Sequence, residues 1–347
     1  MTTSEKYMMR CLELAKKGAG YVSPNPMVGC VVVYNGVVIG EGYHKLYGQA
    51  HAEVNAINSV RQPELLKKST LYVTLEPCAH HGLTPPCSDL IVATQIPKVV
   101  IGTIDPFAKV AGKGIEKMQN AGIEVEVGIL EKECRELNKR FFTFHEKKRP
   151  YIFLKWAQTE DGFIDIDRSN EQFGEPTWIT GEESLIRVHK MRAEEDAIMV
   201  GTKTAEKDNP SLTVRNCKGN NPLRIVIDKN LRLPNNLSLF NNSAKTIVLN
   251  STINKTEKNT EYIQVNFSQN IIPQILEILH EKNILSLIVE GGRQLLESFI
   301  ESGLWDEAHV YTGNKTFKRG VPAPAVSGKI VYEENVGDDR LLVFSNL

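Results

Sequence analysis

Four side chains in the first third of the chain have the types and the order of a catalytic zinc site. His51 is followed two residues later by Glu53, and two cysteines, Cys78 and Cys87, lie beyond the next apolar run. One imidazole and two thiolates can hold Zn²⁺ while its fourth position keeps a water, which is typical of catalytic zinc. A neighbouring carboxylate can take the proton of that water and pass protons to a ring nitrogen and a leaving amine. The pattern therefore predicts hydrolytic deamination of an amidine-like ring carbon.

Each of these residues alone has a simpler interpretation. A single histidine can be a core residue, and free cysteines commonly behave as small buried apolar groups. A structural zinc site would need a fourth protein ligand, which His80 or His81 could supply. Glu53 favours the catalytic interpretation, because a purely structural site has no use for a base. A non-catalytic protein that binds zinc structurally remains an alternative at this point.

The surrounding sequence predicts the elements that position these residues. A helix should begin near His51, residues 71–75 form an apolar run typical of a buried strand, and residues 89–94 indicate another helix. His51 and Cys87 would then lie at helix N-termini, where partial positive charge favours a thiolate. Such alternation of helices with short β-branched runs predicts an α/β layered domain.

The length of 347 residues allows two domains, each with its own core. A polar helix at 131–140 and an aromatic cluster lead to a basic run at 147–149, and a second α/β pattern starts at Tyr151. We therefore predict domains at 1–148 and 149–347. The polar segments 167–175 and 250–260 are predicted to be loops.

Composition and charge exclude several classes of function. A net charge of -1 and a pI near 6.7 offer no basic surface for nucleic acid or an anionic membrane. We find no apolar run long enough to cross a bilayer and no apolar signal region. Six cysteines in no disulfide-like pattern suit a reducing cytoplasm. The sequence predicts a cytoplasmic protein without nucleic-acid or membrane partners.

The second half contains one weak site signal that physical reasoning alone can identify. Residues 287–292 form an apolar run that ends in Glu290 and a pair of glycines. Paired glycines let a backbone approach a ligand closely, and the free N–H groups of a following helix suit a phosphate. A dinucleotide fingerprint of the Gly-x-Gly-x-x-Gly type is absent from the sequence. A simple tight turn would explain the glycine pair equally well.

The spacing of the two cysteines carries a specific resemblance. They lie nine residues apart in residues 74–87 (TLEPCAHHGLTPPC), and the same resemblance extends over residues 24–29 (PNPMVG), 40–44 (GEGYH) and 105–114 (DPFAKVAGKG). Together these motifs resemble the RibD family, the bifunctional deaminase–reductases of riboflavin biosynthesis. The resemblance implies an N-terminal cytidine-deaminase-like domain of three α/β/α layers. It also implies zinc ligands at His51, Cys78 and Cys87, a proton shuttle at Glu53, and substrate contacts at Asn25, His44 and His81.

The resemblance continues through the second half. Its motifs are residues 154–162 (LKWAQTEDG), 178–181 (WITG), 191–193 (MRA), 200–204 (VGTKT), 208–215 (DNPSLTVR) and 289–292 (VEGG). They resemble the reductase half of the family and imply a dihydrofolate-reductase-like α/β fold that uses NADPH. By this resemblance, the residues along NADPH are Ala157, Trp178, Thr204, Asp208 and Gly292. The residues that hold the substrate are Lys155, Arg192, Leu212, Arg215 and Glu290.

Three positions depart from the family pattern. Leu83 stands where the family usually has a lysine or arginine, and an apolar side chain cannot contact a phosphate or polar ring group. Phe107 replaces a usual asparagine, and Pro176 lies where the family often has a serine. These changes affect the predicted substrate and cofactor contacts and leave the predicted zinc ligands intact.

The resemblance implies one overall function. The N-terminal domain would deaminate a diaminopyrimidinone ribosylamine phosphate, and the C-terminal domain would reduce the ribosyl group to ribityl with NADPH. The protein would form a homo-oligomer, either a dimer or a tetramer. One alternative is a monofunctional nucleoside-type zinc deaminase whose second domain is degenerate.

Overall fold

The computed structural model describes residues 1–107, 110–168, 174 and 176–346, and the chain divides into two compact units, Met1–Lys148 and Arg149–Leu347. Each unit has its own sheet and its own buried apolar clusters. Most of the predicted loop at 167–175 lies outside the described residues. Across the described part of the chain, every helix is too short or too polar to span a lipid bilayer.

The N-terminal unit alternates helices and strands, as predicted. Asn35 and Gly36 join its first two strands with φ of 46° and 76°, which confirms the predicted hairpin. Its elements are α1 (Thr3–Ala15), β1 (Gly29–Tyr34), β2 (Val37–Tyr43), α2 (Ala52–Asn58), β3 (Thr70–Leu75), α3 (Cys87–Thr94), β4 (Lys98–Thr103), α4 (Lys113–Asn120), β5 (Glu124–Val127), α5 (Glu131–Leu137) and α6 (Lys139–Lys147).

The described strands of this unit form a five-stranded sheet in the order β2-β1-β3-β4-β5. Strands β3, β4 and β5 are parallel, and β1 is antiparallel to both of its neighbours. Because side chains alternate along a strand, β1 contributes to two cores. Cys30 and Val32 pack with residues of α2, α3 and α4. Val31 and Val33 pack on the other face with α1. The predicted three-layer α/β/α arrangement is confirmed.

The end of this unit differs from the sequence prediction. A single polar helix was expected at 131–140, followed by aromatic residues leading out of the domain. Instead, Asn138 has a non-helical φ of -106° and separates α5 from α6. Its side-chain amide accepts from the Met27 N–H and donates to the Met27 carbonyl, both at 2.8 Å. Helix α6 carries Phe141, Phe142 and Phe144, and all three side chains are buried.

The C-terminal unit contains a larger sheet. The predicted loop at 250–260 is partly wrong, because it includes an exposed strand that forms a hairpin with its successor. The elements are β6 (Tyr151–Gln158), β7 (Phe163–Asp165), α7 (Glu182–Glu194), β8 (Ala197–Val200), α8 (Thr202–Asp208), β9 (Leu223–Ile227), β10 (Thr246–Asn250), β11 (Lys255–Glu257), β12 (Thr260–Gln264), α9 (Ile271–Glu281), β13 (Ser286–Glu290), α10 (Arg293–Ser302), β14 (Glu307–Thr312), β15 (Val321–Pro322), β16 (Lys329–Val336) and β17 (Asp339–Ser345).

Within the described residues, ten strands of this unit form one sheet in the order β11-β12-β10-β9-β8-β13-β6-β14-β17-β16. The seven strands from β12 to β14 in this order run parallel, and antiparallel strands close both edges. Parallel strands end at a common edge of a sheet, and ligands of open α/β sheets bind beyond that edge. Glu290 is the last residue of β13, and it is paired in register with Lys155 of β6.

Candidate active sites

The structure brings the three predicted zinc ligands together. His51 is the N-cap of α2, Cys78 follows the end of β3, and Cys87 is the first residue of α3. The ligand atoms of the three residues lie within 4.8 Å of one another. The Nδ1 atom of His51 is 3.6 Å from the Cys78 Sγ and 3.4 Å from the Cys87 Sγ. The predicted ligands therefore converge on one point from three separate elements.

These distances fit tetrahedral zinc. Bonds of about 2.0 Å to nitrogen and about 2.3 Å to sulfur place the two ligand atoms about 3.5 Å apart. Among the described residues this cluster comprises only three side chains, and neither His80 nor His81 belongs to it. The donor set thus leaves a fourth position for water. The other nitrogen of His51, Nε2, lies 3.4 Å from the Thr84 hydroxyl, a contact that helps to orient the ring.

The Cys87 thiol stabilises the negatively charged form of Cys78. A hydrogen bond from Cys87 and the neighbouring His51 ring lower the pKa of Cys78 to about 4, although burial opposes this. The Cys87 backbone N–H also donates to the Cys78 Sγ at 3.3 Å. Cys78 is therefore a thiolate at neutral pH. This is the form that binds a metal ion.

Glu53 lies in the first turn of α2, with 3% of its surface exposed. Burial, reinforced by the charge of Cys78, raises the pKa of its carboxyl group to about 7, while His51 opposes the shift. A carboxyl group that gains and loses a proton near neutral pH is suited to general acid–base catalysis. The structure thus places a suitable proton carrier on the helix that begins at His51.

Two of the three predicted substrate contacts adjoin the cluster. The His44 ring lies edge-on to the His51 ring, with centroids 5.2 Å apart. Its Nδ1 lies 3.2 Å from the Ala50 carbonyl, and its Nε2 lies 3.2 Å from the Asn25 side-chain nitrogen. This pairing is consistent with a neutral ring that donates from Nδ1, and burial lowers the pKa of His44. Asn25 and His44 form one polar unit beside the zinc ligands.

The glycines of the GEGYH motif explain how α2 reaches this position. A Cβ at Gly42 would lie 2.3 Å from the Ala56 backbone nitrogen and 2.5 Å from the Ala52 carbonyl oxygen. A Cβ at Gly40 would lie 2.5 Å from the Ala56 carbonyl oxygen. Helix α2 therefore rests directly on the backbone of β2. Its N-terminus, with His51 and Glu53, is positioned by this contact.

Glu76 is a site residue that the sequence analysis missed. It is buried directly after β3, and its carboxylate accepts backbone N–H groups from Asp105, Gly112, Gly114 and Ile115 at 2.9 to 3.3 Å. These contacts attach the loop after β4 and the start of α4 to the segment that carries Cys78. The only signal in the sequence was its position two residues before that cysteine.

Two of the three positions that depart from the family pattern, Leu83 and Phe107, lie in or beside the loop between the two cysteines. Leu83 is 73% exposed. Phe107 packs between the rings of His80 and His145, with centroid distances of 5.8 Å and 5.1 Å. His81 is half-buried in the same loop as Leu83. Pro176 is an exposed residue of the C-terminal unit. The structure therefore gives Phe107 a packing role and leaves Leu83 without one.

In the C-terminal unit, three predicted substrate residues meet at the end of β13. The Arg192 Nη2 donates to the Glu290 Oε2 at 2.7 Å, and the Lys155 Nζ lies 3.7 Å from the Glu290 Oε1. Burial alone would raise the pKa of Glu290, but the two cations outweigh it and hold that pKa at about 2. Burial lowers the pKa of Lys155. This cluster combines a carboxylate that stays charged at neutral pH with a lysine whose pKa is lowered by burial.

Arg215 and Leu212 lie on the loop after α8. The Arg215 backbone N–H donates to the His189 Nδ1 at 3.1 Å, and His189 lies one helical turn before Arg192 on α7. Leu212 is buried with a left-handed φ of 53°. His189 was missed by the sequence analysis, although its spacing from Arg192 places both on one helix face. The structure thus connects the predicted substrate loop to α7.

The predicted cofactor residues fall into two groups. Gly291 and Gly292, with φ of 85° and 71°, turn the chain from β13 into α10, and a Cβ at Gly291 would lie 2.8 Å from the Thr204 Cγ2. Asp208 ends the same helix as Thr204 and pairs with Arg168 at 2.8 Å. The other two predicted cofactor residues, Ala157 and Trp178, contact different residues. Ala157 packs beside Tyr311, and the 53% exposed Trp178 accepts from Lys315 through its carbonyl.

Comparison with known proteins assigns each unit to a family. The model for the cytidine and deoxycytidylate deaminase zinc-binding region matches residues 1–103, and the model for the RibD C-terminal domain matches residues 150–317. The riboflavin biosynthesis protein RibD of Aquifex aeolicus is 42% identical, covering 98% of this chain and 98% of its own. The chain belongs to the RibD family.

Other members of the family are similar to this chain over at least nine tenths of its length. RibD of Escherichia coli is 35% identical, covering 90% of this chain and 88% of its own. A solved structure from Thermotoga maritima, described as a diaminohydroxyphosphoribosylaminopyrimidine deaminase and 5-amino-6-(5-phosphoribosylamino)uracil reductase, matches with a TM-score of 0.89 and 38% identity, covering 99% and 98% of the two chains. RibD of Acinetobacter baumannii matches with a TM-score of 0.88 and 31% identity, covering 99% and 98%.

Membership of the RibD family confirms the predicted organisation of function. The chain is a bifunctional enzyme of riboflavin biosynthesis, with a zinc-binding deaminase domain and a reductase domain of the NADPH-dependent type. Both domains act on small molecules. The converging ligands His51, Cys78 and Cys87 lie within the zinc-binding region that the first model matches.

Proposed function

We propose that the N-terminal unit removes an amino group from the ring of a diaminopyrimidinone ribosylamine phosphate, and that the C-terminal unit then reduces the ribosyl group to ribityl with NADPH. The observation that carries this proposal is the convergence of three zinc ligands within 4.8 Å, with a buried carboxyl group on the same helix. The similar Thermotoga maritima structure is named for the same two activities.

In the deaminase step, we assign the metal to His51, Cys78 and Cys87. Zinc bound there supplies a water whose pKa is close to neutrality. With zinc bound, Glu53 would accept a proton from such a water and would pass protons to the ring nitrogen and the leaving amine, and its pKa of about 7 suits both directions of transfer. Asn25 and His44 hold the ring through their side-chain polar groups, and His81 contacts the substrate from the loop between the cysteines.

In the reductase step, we assign substrate binding to the cluster at the end of β13 and to the loop after α8. Arg192 and Arg215 bind the phosphate, because a guanidinium matches phosphate oxygens in bidentate geometry. Glu290 would orient the ribosyl hydroxyl groups, and Lys155, whose pKa is lowered by burial, would supply the proton that reduction by NADPH requires. Leu212 packs beside the substrate.

NADPH would lie along the carboxyl edge of the C-terminal sheet. We assign its binding to Ala157, Trp178, Thr204, Asp208 and the segment from Gly292. The first N–H groups of the ten-residue helix α10 follow Gly292, which has no side-chain cap, and they suit a phosphate group of the dinucleotide. The close packing of Gly291 on Thr204 brings two of these segments together.

We further propose that the protein is a cytoplasmic homo-oligomer, a dimer or a tetramer. The free cysteines at the zinc site require reducing conditions, which the cytoplasm provides. Edge strand β16 exposes Ile330, Val331 and Tyr332 by 49%, 52% and 47%. An exposed apolar edge strand favours association with a second chain. Light scattering after size-exclusion chromatography would give the oligomeric state.

The experiment that tests the proposed function follows ammonia release and NADPH oxidation together. Purified zinc-loaded protein receives the diaminopyrimidinone ribosylamine phosphate, and both signals should appear. If NADPH is oxidised only when deaminated substrate is supplied, the deaminase assignment is wrong for this substrate. Restoration of ammonia release by Leu83→Lys would then attribute the defect to the exposed leucine. No oxidation with either substrate would refute the reductase assignment.

A further inference from the structure

Three buried polar atoms in the C-terminal site have no hydrogen-bond partner within the described part of the chain. They are the His189 Nε2, the Arg192 Nε and the Glu290 Oε1. All three residues are largely buried, with exposed fractions of 0%, 9% and 9%. A buried polar group without a partner destabilises a fold, so three of them at one site indicate groups that a ligand satisfies.

The protonation of His189 follows from its one hydrogen bond. The Arg215 backbone N–H donates to Nδ1 at 3.1 Å, so Nδ1 carries no proton. Burial, together with the positive charges of Arg192 and Arg215, lowers the pKa of the ring to about 4. At neutral pH the ring is therefore neutral with its single proton on Nε2, the unpartnered nitrogen. His189 presents one buried N–H donor.

The three atoms define the chemistry of the missing partner. His189 and Arg192 each offer an N–H donor, so they require acceptor oxygens. The Glu290 Oε1 requires a donor, since its nearest cation, Lys155, is 3.7 Å away and outside hydrogen-bond distance. A sugar phosphate offers both kinds of group, with phosphate oxygens as acceptors and hydroxyl groups as donors. His189 and Arg192 share one face of α7, so a single phosphate can reach both.

We propose that His189 is a substrate-binding residue of the reductase site, where its Nε2–H donates to the phosphate of the pyrimidine ribosyl phosphate beside Arg192. This inference rests on the proposed reductase function and adds a contact that the sequence motifs did not reveal. Its Nδ1 also fixes the backbone of Arg215, so one ring links the two arginines of the phosphate site. A neutral donor adds a hydrogen bond there without repelling the two guanidinium groups.

Two substitutions separate the roles of the two nitrogens. His189→Asn keeps an acceptor near the Nδ1 position for the Arg215 N–H and removes the distal donor. His189→Gln keeps an N–H donor near the Nε2 position and removes the Nδ1 acceptor. If the distal donor binds phosphate, the KM for the deaminated substrate should rise about tenfold or more in His189→Asn. In His189→Gln the same KM should return most of the way to the wild-type value. The KM for NADPH should stay within about twofold of the wild-type value under the same argument.

A substrate without its phosphate gives the readout that a purely structural role would not change. The ratio of wild-type to His189→Asn kcat/KM should fall toward one when the phosphate is absent, because the lost contact no longer exists in either protein. An equal defect with both substrates would overturn the proposal, as would wild-type behaviour of His189→Asn. A rise in the KM for NADPH alone would assign the donor to the cofactor and also overturn it. His280→Asn on α9 serves as the matched control.

Ribose 5-phosphate tests the same contact without turnover. Its binding to the zinc-loaded full-length protein, measured by calorimetry, should weaken about tenfold in His189→Asn. No binding to the wild-type protein at millimolar concentration, or equal binding to both proteins, would overturn the proposal. If the wild-type enzyme fails to reduce the deaminated substrate but shows this difference in binding, the proposed reaction is wrong and the phosphate contact stands.

Discussion

Glu53 is the buried side chain that we propose connects the metal site to proton transfer. Its carboxyl group is almost fully buried beside a thiolate, and these two factors raise its pKa to about 7. The neighbouring cluster of predicted zinc ligands does not include it. Its expected contribution is therefore to the movement of protons and not to the affinity for the metal.

We predict that Glu53→Gln keeps zinc and loses ammonia release. The amide has nearly the same shape as the carboxyl group but cannot accept the proton of a water. The rate should fall at least about 100-fold, the lower end of general acid–base contributions. Metal content and ammonia release would be measured on the same preparation. Undiminished release would refute the proton-shuttle role, and the exposed Glu64→Gln should behave as wild type.

At the level of elements, the deaminase site depends on how closely α2 packs on β2. The backbone of α2 occupies the space that a Cβ at Gly42 would need. The GEGYH motif is therefore explained in part by packing, because a larger residue would displace the helix that begins at His51. The Glu76 carboxylate plays a comparable role on the other side of the site. It attaches the start of α4 to the segment before Cys78.

We predict that Gly42→Ala destabilises the protein by about 1–3 kcal/mol, the usual cost of overpacking, and also weakens zinc binding. The clash is with backbone atoms of α2, which cannot move aside as a flexible side chain can. Urea unfolding and a zinc competition assay would measure the two effects. Gly181→Ala is the control, since its Cβ would meet the nearest atom, the Asp339 Oδ2, at 3.7 Å. Equal behaviour of the two variants would contradict the packing argument.

At the level of the whole molecule, the chain divides into two compact units, and the boundary in the sequence lies between residues 148 and 149. Each unit has its own sheet and its own buried clusters. The predicted zinc ligands all lie in the first unit, and the Arg192–Glu290–Lys155 cluster lies in the second. This distribution predicts that the two activities are physically separable.

We predict that residues 1–148 and 149–347, expressed separately, each fold and each retain one activity. The first should bind zinc and release ammonia, and the second should oxidise NADPH with the deaminated substrate. A chelator should lower the melting temperature of the first fragment only, because a ligand stabilises just the fold that binds it. If either fragment is unfolded or inactive alone while the full chain is active, the units are not independent.

The sequence by itself predicted the cluster of His51, Cys78 and Cys87, the start of α2 and the type I′ hairpin, and the structure contains all three. These features depend on residue chemistry or on short-range conformation. Only certain side chains bind zinc, and the Asn35–Gly36 turn requires positive φ at both positions. The assignment of the second half depended on the family resemblance, because a glycine pair after an apolar run has several structural explanations.

Only the tertiary structure decided which distant residues meet. Asn138 pairs with Met27 across 111 residues, and this contact ended a helix that local periodicity had predicted to continue. His189 bonds to Arg215 across 26 residues, and Arg192 bonds to Glu290 across 98. Asn138 and His189 look like ordinary surface or core residues in the sequence, and neither had a predicted role. Their roles arise because the parallel strands end at one edge of the sheet, where helices and loops that are far apart in the chain come together.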